Sequence, residues 1–178
     1  MAVVTYGNRA YEDALLELKL KLEERNFVVR AAAAFIGEHS VSRNIANGRP
    51  DQKDLGIAFE YGGMVARYVQ SDACGTLVVP GSYPFAAKGS DPHYVPSTSS
   101  ACISCGLCAR NCPYEALDTE DFKTVDKTKC MRCGRCVKYC PSNAKVFDDP
   151  DFLAKLPEFE ARLNSNACQP GLFLPSSH

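Results

Sequence analysis

The sequence predicts an α+β protein in two parts, and three observations carry that reading. Cysteines fall in two dense, equally spaced runs between residues 102 and 140, in a stretch too small to build much apolar core. The runs repeat each other, so this stretch is a two-fold unit of short elements. Upstream, residues 1–70 alternate β-type runs with helical periodicity in the order β-α-β-α, as for parallel strands covered by helices. The divisions expected are a partial α/β half-domain at 1–70, a linker rich in Gly, Pro and Ser at 71–98, the cysteine unit at 99–149, and a C-terminal helix and tail at 150–178.

Element by element, Ala2–Tyr6 reads as a strand. Tyr11, Ala14, Leu15, Leu18 and Leu22 then recur at helical spacing, with Glu12, Asp13, Glu17 and Glu23 between them. Phe27–Phe35 is apolar almost throughout, as for a strand covered on both faces. Asp51, with Asp54 three residues on, predicts the N-cap of a helix carrying Leu55, Ala58, Phe59, Val65, Ala66 and Val69. Gly62 and Gly63 each weaken that helix by about 1 kcal/mol, so close packing against a neighbour is expected there. Phe152, Leu153, Leu156, Phe159 and Leu163 predict an amphipathic helix that packs on its own chain, with docking to a partner as the alternative.

The cysteines carry the chemistry. Cys102-x2-Cys105-x2-Cys108-x3-Cys112 precedes Pro113, and Cys130-x2-Cys133-x2-Cys136-x3-Cys140 precedes Pro141; the two runs align at an offset of 28. Three thiolates at i, i+3 and i+6 can converge on three corners of a [4Fe–4S] cube, and in runs of this spacing the fourth thiolate belongs to the other cube. Cys102, Cys105, Cys108 and Cys140 are therefore assigned to one cluster, and Cys130, Cys133, Cys136 and Cys112 to a second. Gly106 and Gly134 let the backbone curl close to the metal, and the prolines turn the chain away afterwards. Zinc sites use two C-x2-C pairs and leave a third cysteine without a role. A disulfide framework needs an oxidising compartment. Cys74 and Cys168 are left as free thiols, and His39 and His93 as structural side chains.

All eight positions resemble the ligands of bacterial two-cluster ferredoxins. That resemblance implies a small α+β fold, with short helices near Leu107–Asn111 and Arg135–Tyr139 carrying each fourth cysteine. It also implies strands near Lys123–Val125 and Lys145–Phe147, and a stability drawn largely from ligation. The segments VVTYGNRAYEDALLELK, AAAAFIGEHS and GRPDQKDL resemble the C-terminal half of a flavodoxin-like domain. With the linker GSYPF and the tail GLFL, they resemble flavodoxin–ferredoxin fusion proteins. In that family Tyr6–Tyr11 would lie beside a flavin. The phosphate-cradling loop of the complete domain is not expected in this chain, so Gly7 and Asn8 are read as a strand-to-helix turn and FMN is not expected on this chain alone. A half-domain of this size leaves sheet edges unpaired, so a second copy of the chain or a partner subunit is expected to cover it.

Charge narrows the function. The net charge is −1, which gives no general attraction to nucleic acid, and no apolar run reaches the roughly 20 residues of a membrane span. The start MAVVTYGNRAYED has no signal-peptide character, and a reducing cytoplasm is expected. From Pro113 to Asp126 there are five acids against Lys123; from Lys127 to Phe147 there are six bases (Lys127, Lys129, Arg132, Arg135, Lys138, Lys145) and no acid. Such a patch would raise the potential of the cluster held by Cys130, Cys133 and Cys136 or steer an acidic redox partner. The function expected is low-potential, one-electron transfer to redox partner proteins, with no residue acting as acid, base or nucleophile. The alternative is an electron-input subunit of a flavin or multi-cluster oxidoreductase. Purely structural clusters, as in some nucleic-acid enzymes, are disfavoured because no catalytic constellation or basic, aromatic surface accompanies them.

Overall fold

The computed structural model describes residues 1–71, 75–86, 94–165 and 168–176. In chain order its elements are β1 (Ala2–Tyr6), α1 (Ala14–Glu23), β2 (Ala32–Ile36), α2 (Gln52–Gln70), β3 (Ser97–Thr98), α3 (Leu107–Arg110), α4 (Arg135–Lys138), β4 (Lys145–Val146), α5 (Pro150–Asn164) and β5 (Gly171–Phe173). They fall into two compact units, one of Met1–His39, Asn44–Lys88 and Leu163–His178, the other of Ser40–Arg43 and Gly89–Arg162.

The first unit has the expected β-α-β-α order over residues 1–70, with β1 and β2 parallel from Ala2↔Ala32 to Tyr6↔Ile36. The tail adds a strand that sequence reasoning did not contain. β5 pairs antiparallel with β2 from Ala32↔Phe173 to Ala34↔Gly171, giving the order β1-β2-β5. β2 is thus central, which accounts for its small side chains: Ala32, Ala33 and Ala34 have no exposed surface. Leu15 of α1 is wholly buried against Ala2, Ala32, Leu77 and Val79, a burial that stabilises by about 2 kcal/mol. The Tyr61 hydroxyl of α2 is shared as donor between the carbonyls of Ala32 (2.8 Å) and Phe173 (2.7 Å).

Two expectations are corrected here. The strand predicted over Phe27–Phe35 begins only at Ala32, and Phe27 and Val28 are 61% and 84% exposed. The run starts inside the turn that closes α1, where Arg25, Asn26 and Phe27 donate backbone N–H groups to the carbonyls of Leu22 and Glu23. Among the described residues Gly62 and Gly63 have no close neighbour beyond the Arg67 side chain, 3.5 Å from where a Gly63 Cβ would stand. The predicted cap of α2 is present: Asp51 accepts from the Asp54 N–H and Asp54 from the Asp51 N–H, both at 2.9 Å.

The second unit repeats itself. Ser104 and Gly106 take positive φ in the first half, and Arg132 and Gly134 do so at equivalent places in the second. Glu115 and Asn143, each three residues after a fourth cysteine, match in the same way. The outer strands β3 and β4 pair antiparallel, whereas Leu117 and Val125 meet as an isolated antiparallel bridge. The strand expected near Lys123–Val125 is reduced to that bridge. Its acidic neighbours are spent on turns: Asp118 accepts from Glu120 and Asp121, and Asp121 from Lys123 and Thr124. Tyr94, Phe147 and Phe152 form an aromatic cluster, with Tyr94 stacked on Phe152 at 4.5 Å. Among the described residues no helix is long and apolar enough to cross a membrane.

Candidate metal centre

The site begins with two tight backbone curls. After Cys105 the chain passes through Gly106 at φ 70° and enters α3; after Cys133 it passes through Gly134 at φ 70° and enters α4. A Cβ on Gly134 would lie 2.0 Å from the Ser40 carbonyl oxygen, so the backbones approach there as only glycine permits. Each short helix carries the third cysteine of its run, Cys108 or Cys136, while the fourth follows the helix cap. The resemblance had placed the fourth cysteine on the helix. The four-residue helices are too short to reach it, and the cap turn redirects it instead.

Those curls bring the thiols together in two groups. One cavity is lined by Cys102, Cys105, Cys108 and Cys140, with Ile103, Phe122, Ala144 and Lys145 among its walls. A second is lined by Cys130, Cys133, Cys136 and Cys112, with Pro96, Leu117 and Val125. Each cavity thus receives three thiols from one half and one from the other. Cys105 and Cys133 are exposed; the other six are partly covered.

Hydrogen bonding treats the two fourth cysteines alike. The Ala116 N–H donates to Cys112 Sγ at 3.4 Å and the Ala144 N–H to Cys140 Sγ at 3.2 Å. At Cys140 burial opposes ionisation, but donors from Ser142, Ala144 and Lys145 outweigh it and hold the thiol below its ordinary value. Burial pushes the Cys136 thiol up to about 11; Lys145 pulls against it, while Cys130, Cys133 and Cys108 push the same way as burial. Cys108 and Cys136 come from different halves, so the two groups feel each other.

The donor set fits a cubane cluster. Four soft thiols surround each cavity, apolar side chains form part of its walls, and backbone N–H groups point at the sulfurs of Cys112 and Cys140, as suits sulfur-ligated clusters. Among the described residues no three His, Cys, Asp or Glu side chains are arranged to hold a lone metal ion. The thiols are spread around a space instead.

The remaining candidate residues have other places. Asn8, buried at φ 59°, donates to the Leu163 carbonyl at 2.8 Å and accepts from the Cys168 N–H at 3.3 Å. A Cβ on Gly7 would lie 2.8 Å from His39. This turn is therefore packed closely against the loop at His39 and the tail. Burial, with Cys168 beside it, pushes Tyr6 up to about 12. Cys168 is a free thiol; Cys74 and His93 lie outside the described residues. Sequence reasoning counted Lys145 only as one base among six. Its signal was the internal repeat, which puts it where the first half has Leu117.

Residues 101–144 match the family model of the 4Fe-4S dicluster domain. The chain therefore carries a 4Fe-4S ferredoxin-type domain over this stretch, a class of domain that binds iron–sulfur clusters and points in general to electron transfer. No curated protein and no solved structure matches the chain.

Proposed function

We propose that this chain is a one-electron carrier holding two [4Fe–4S] clusters, one ligated by Cys102, Cys105, Cys108 and Cys140, the other by Cys130, Cys133, Cys136 and Cys112. The observation that carries the reading is the grouping of eight thiols into two cavities, each taking one thiol from the opposite half. Bound clusters of this kind accept and release single electrons without transferring atoms. The chain's own contribution is to hold four sulfurs around each cavity, exclude water with Leu117, Val125 and Phe122, and leave Cys105 and Cys133 towards solvent, where a partner can approach. No side chain needs to act as acid, base or nucleophile for that transfer. The exposed bases Lys127, Lys129 and Arg135 would favour an acidic redox partner, and a reducing cytoplasm suits ten cysteines.

The test is iron and sulfide analysis of anaerobically purified protein, with EPR of the dithionite-reduced form. Two cubes' worth of iron and sulfide, with bleaching near 400 nm, is expected. Cys112→Ser should disturb the cluster of Cys130, Cys133 and Cys136, and Cys140→Ser the other. Colourless protein, or zinc in place of sulfide, would overturn the reading.

A second reading, an electron-input subunit of a larger oxidoreductase, draws on the first unit. α2 leaves Leu55, Phe59 and Val69 at 51%, 85% and 46% exposure, on one helix face that suits cover by a second copy or a partner subunit. Co-purification of an oxidoreductase polypeptide favours this reading, and a chain that comes off alone removes it.

A further inference from the structure

Among the described residues Lys145 is the largest of the fully buried side chains, at 2% exposure. It occupies the place that the repeat gives to Leu117, a buried apolar residue at 6% exposure. Lysine is among the residues least often buried without a partner, and an ammonium out of water normally needs an opposite charge. Its Nζ donates to Thr98 Oγ1 at 2.6 Å and to the Lys123 carbonyl at 3.3 Å. Among the described residues no carboxylate pairs with it. Its hydrogen bonds are met while its charge is not. Lys145 lines the cavity of Cys102, Cys105, Cys108 and Cys140, and its strand β4 packs against α4, which carries Cys136 of the other group.

We propose that the Lys145 ammonium is the built-in counter-charge of the two sulfur cages, raising the reduction potential of both clusters above what an apolar residue in its place would give. The inference rests on the two-cluster reading above. A thiolate-ligated cube is an anion, and reduction adds one further negative charge, so a fixed positive charge nearby stabilises the reduced form more. The effect should be larger for the cluster of Cys102, Cys105, Cys108 and Cys140, whose cavity Lys145 lines. Burial matters as much as sign: an exposed base is screened by salt and a buried one is screened much less. The surface bases Lys127 and Lys129 are thus the weaker influence, although they outnumber it. Lys145 is a tuning residue and not a ligand.

The test uses the intact, anaerobically loaded protein and its Lys145→Met and Lys145→Gln variants, with midpoint potentials read by EPR-monitored titration at low and high salt. Both variants should retain iron and sulfide and show a downward shift of both potentials that persists at high salt. Lys127→Gln should give a smaller shift that salt abolishes. Loaded variants with unchanged potentials would overturn the proposal while leaving the two-cluster reading intact; wild-type protein without iron and sulfide would overturn both. Should neither variant load, nitrogen-15 lysine NMR of the wild-type holoprotein decides the matter. One slowly exchanging ammonium should shift on reduction, and the lack of any responsive ammonium would overturn the role.

Discussion

Among the described glycines, Gly134 is the one where a single methyl group meets the most resistance. Its φ is 70°, and a Cβ would stand 2.0 Å from the Ser40 carbonyl oxygen, which is backbone and cannot swing aside. At Gly106 the same methyl would meet the Arg110 guanidinium and the Phe122 ring, flexible ends that can move. Left-handed backbone costs a residue with a Cβ about 1 kcal/mol, and overpacking adds about 1–3 kcal/mol. Gly134→Ala should therefore lower the thermal bleaching midpoint and the iron content well below those of Gly106→Ala; equal losses would show that backbone conformation alone decides. The glycine turns and the gathering of the thiols around two cavities were legible because that spacing acts over a few consecutive residues. The approach of Ser40 was not, because it joins residues far apart in the chain. Lys145 lay between these cases: the repeat marked its place as a core position, but nothing local marked its charge as buried.

Elements were legible where local patterns decide them. The capping box of α2 is an example, since Asp51 and Asp54 satisfy each other's N–H groups three residues apart. The structure adds a second partner, as the Arg49 guanidinium grips the buried Asp54 carboxylate through two N–H groups. Chiefly through that hydrogen bonding, and against burial, Arg49 holds the Asp54 pKa below the usual carboxylate range. The sign follows: with the folded value depressed, the stabilisation is present above the unfolded value of about 4 and is lost as pH falls through the folded one. Asp54→Asn should cost about 2 kcal/mol at neutral pH, and urea midpoints of variant and wild type should converge as pH drops below about 4. A gap independent of pH would mean the charge is not what matters. Strands were less legible. β5 offers only three residues and becomes a strand because β2 leaves an edge beside it. Phe27 and Val28 look like strand residues, yet Phe27 closes the turn at the end of α1 and Val28 follows it exposed.

At the scale of the molecule the two units are held by different means. The first has a three-stranded sheet with α1 packed on it and a shared apolar core. In the second, the buried apolar residues are few: Ala116, Leu117, Ala144 and Phe147, with Pro96. So small a core leaves stability to ligation. Chelating the iron should therefore abolish amide-exchange protection within residues 94–162 while β1, β2 and α1 keep theirs. Mass spectrometry of exchange in the full chain would show it, and persistent protection of 94–162 without iron would contradict the account.

The pairing of β5 with β2 has a consequence for biogenesis. Residues 171–173 leave the ribosome after the whole cysteine-bearing stretch, yet they finish a sheet begun at residue 2. Translation therefore delivers every sulfur needed for metal assembly before the other unit can close. A nascent chain stalled short of β5 would leave the flank of β2 unpaired.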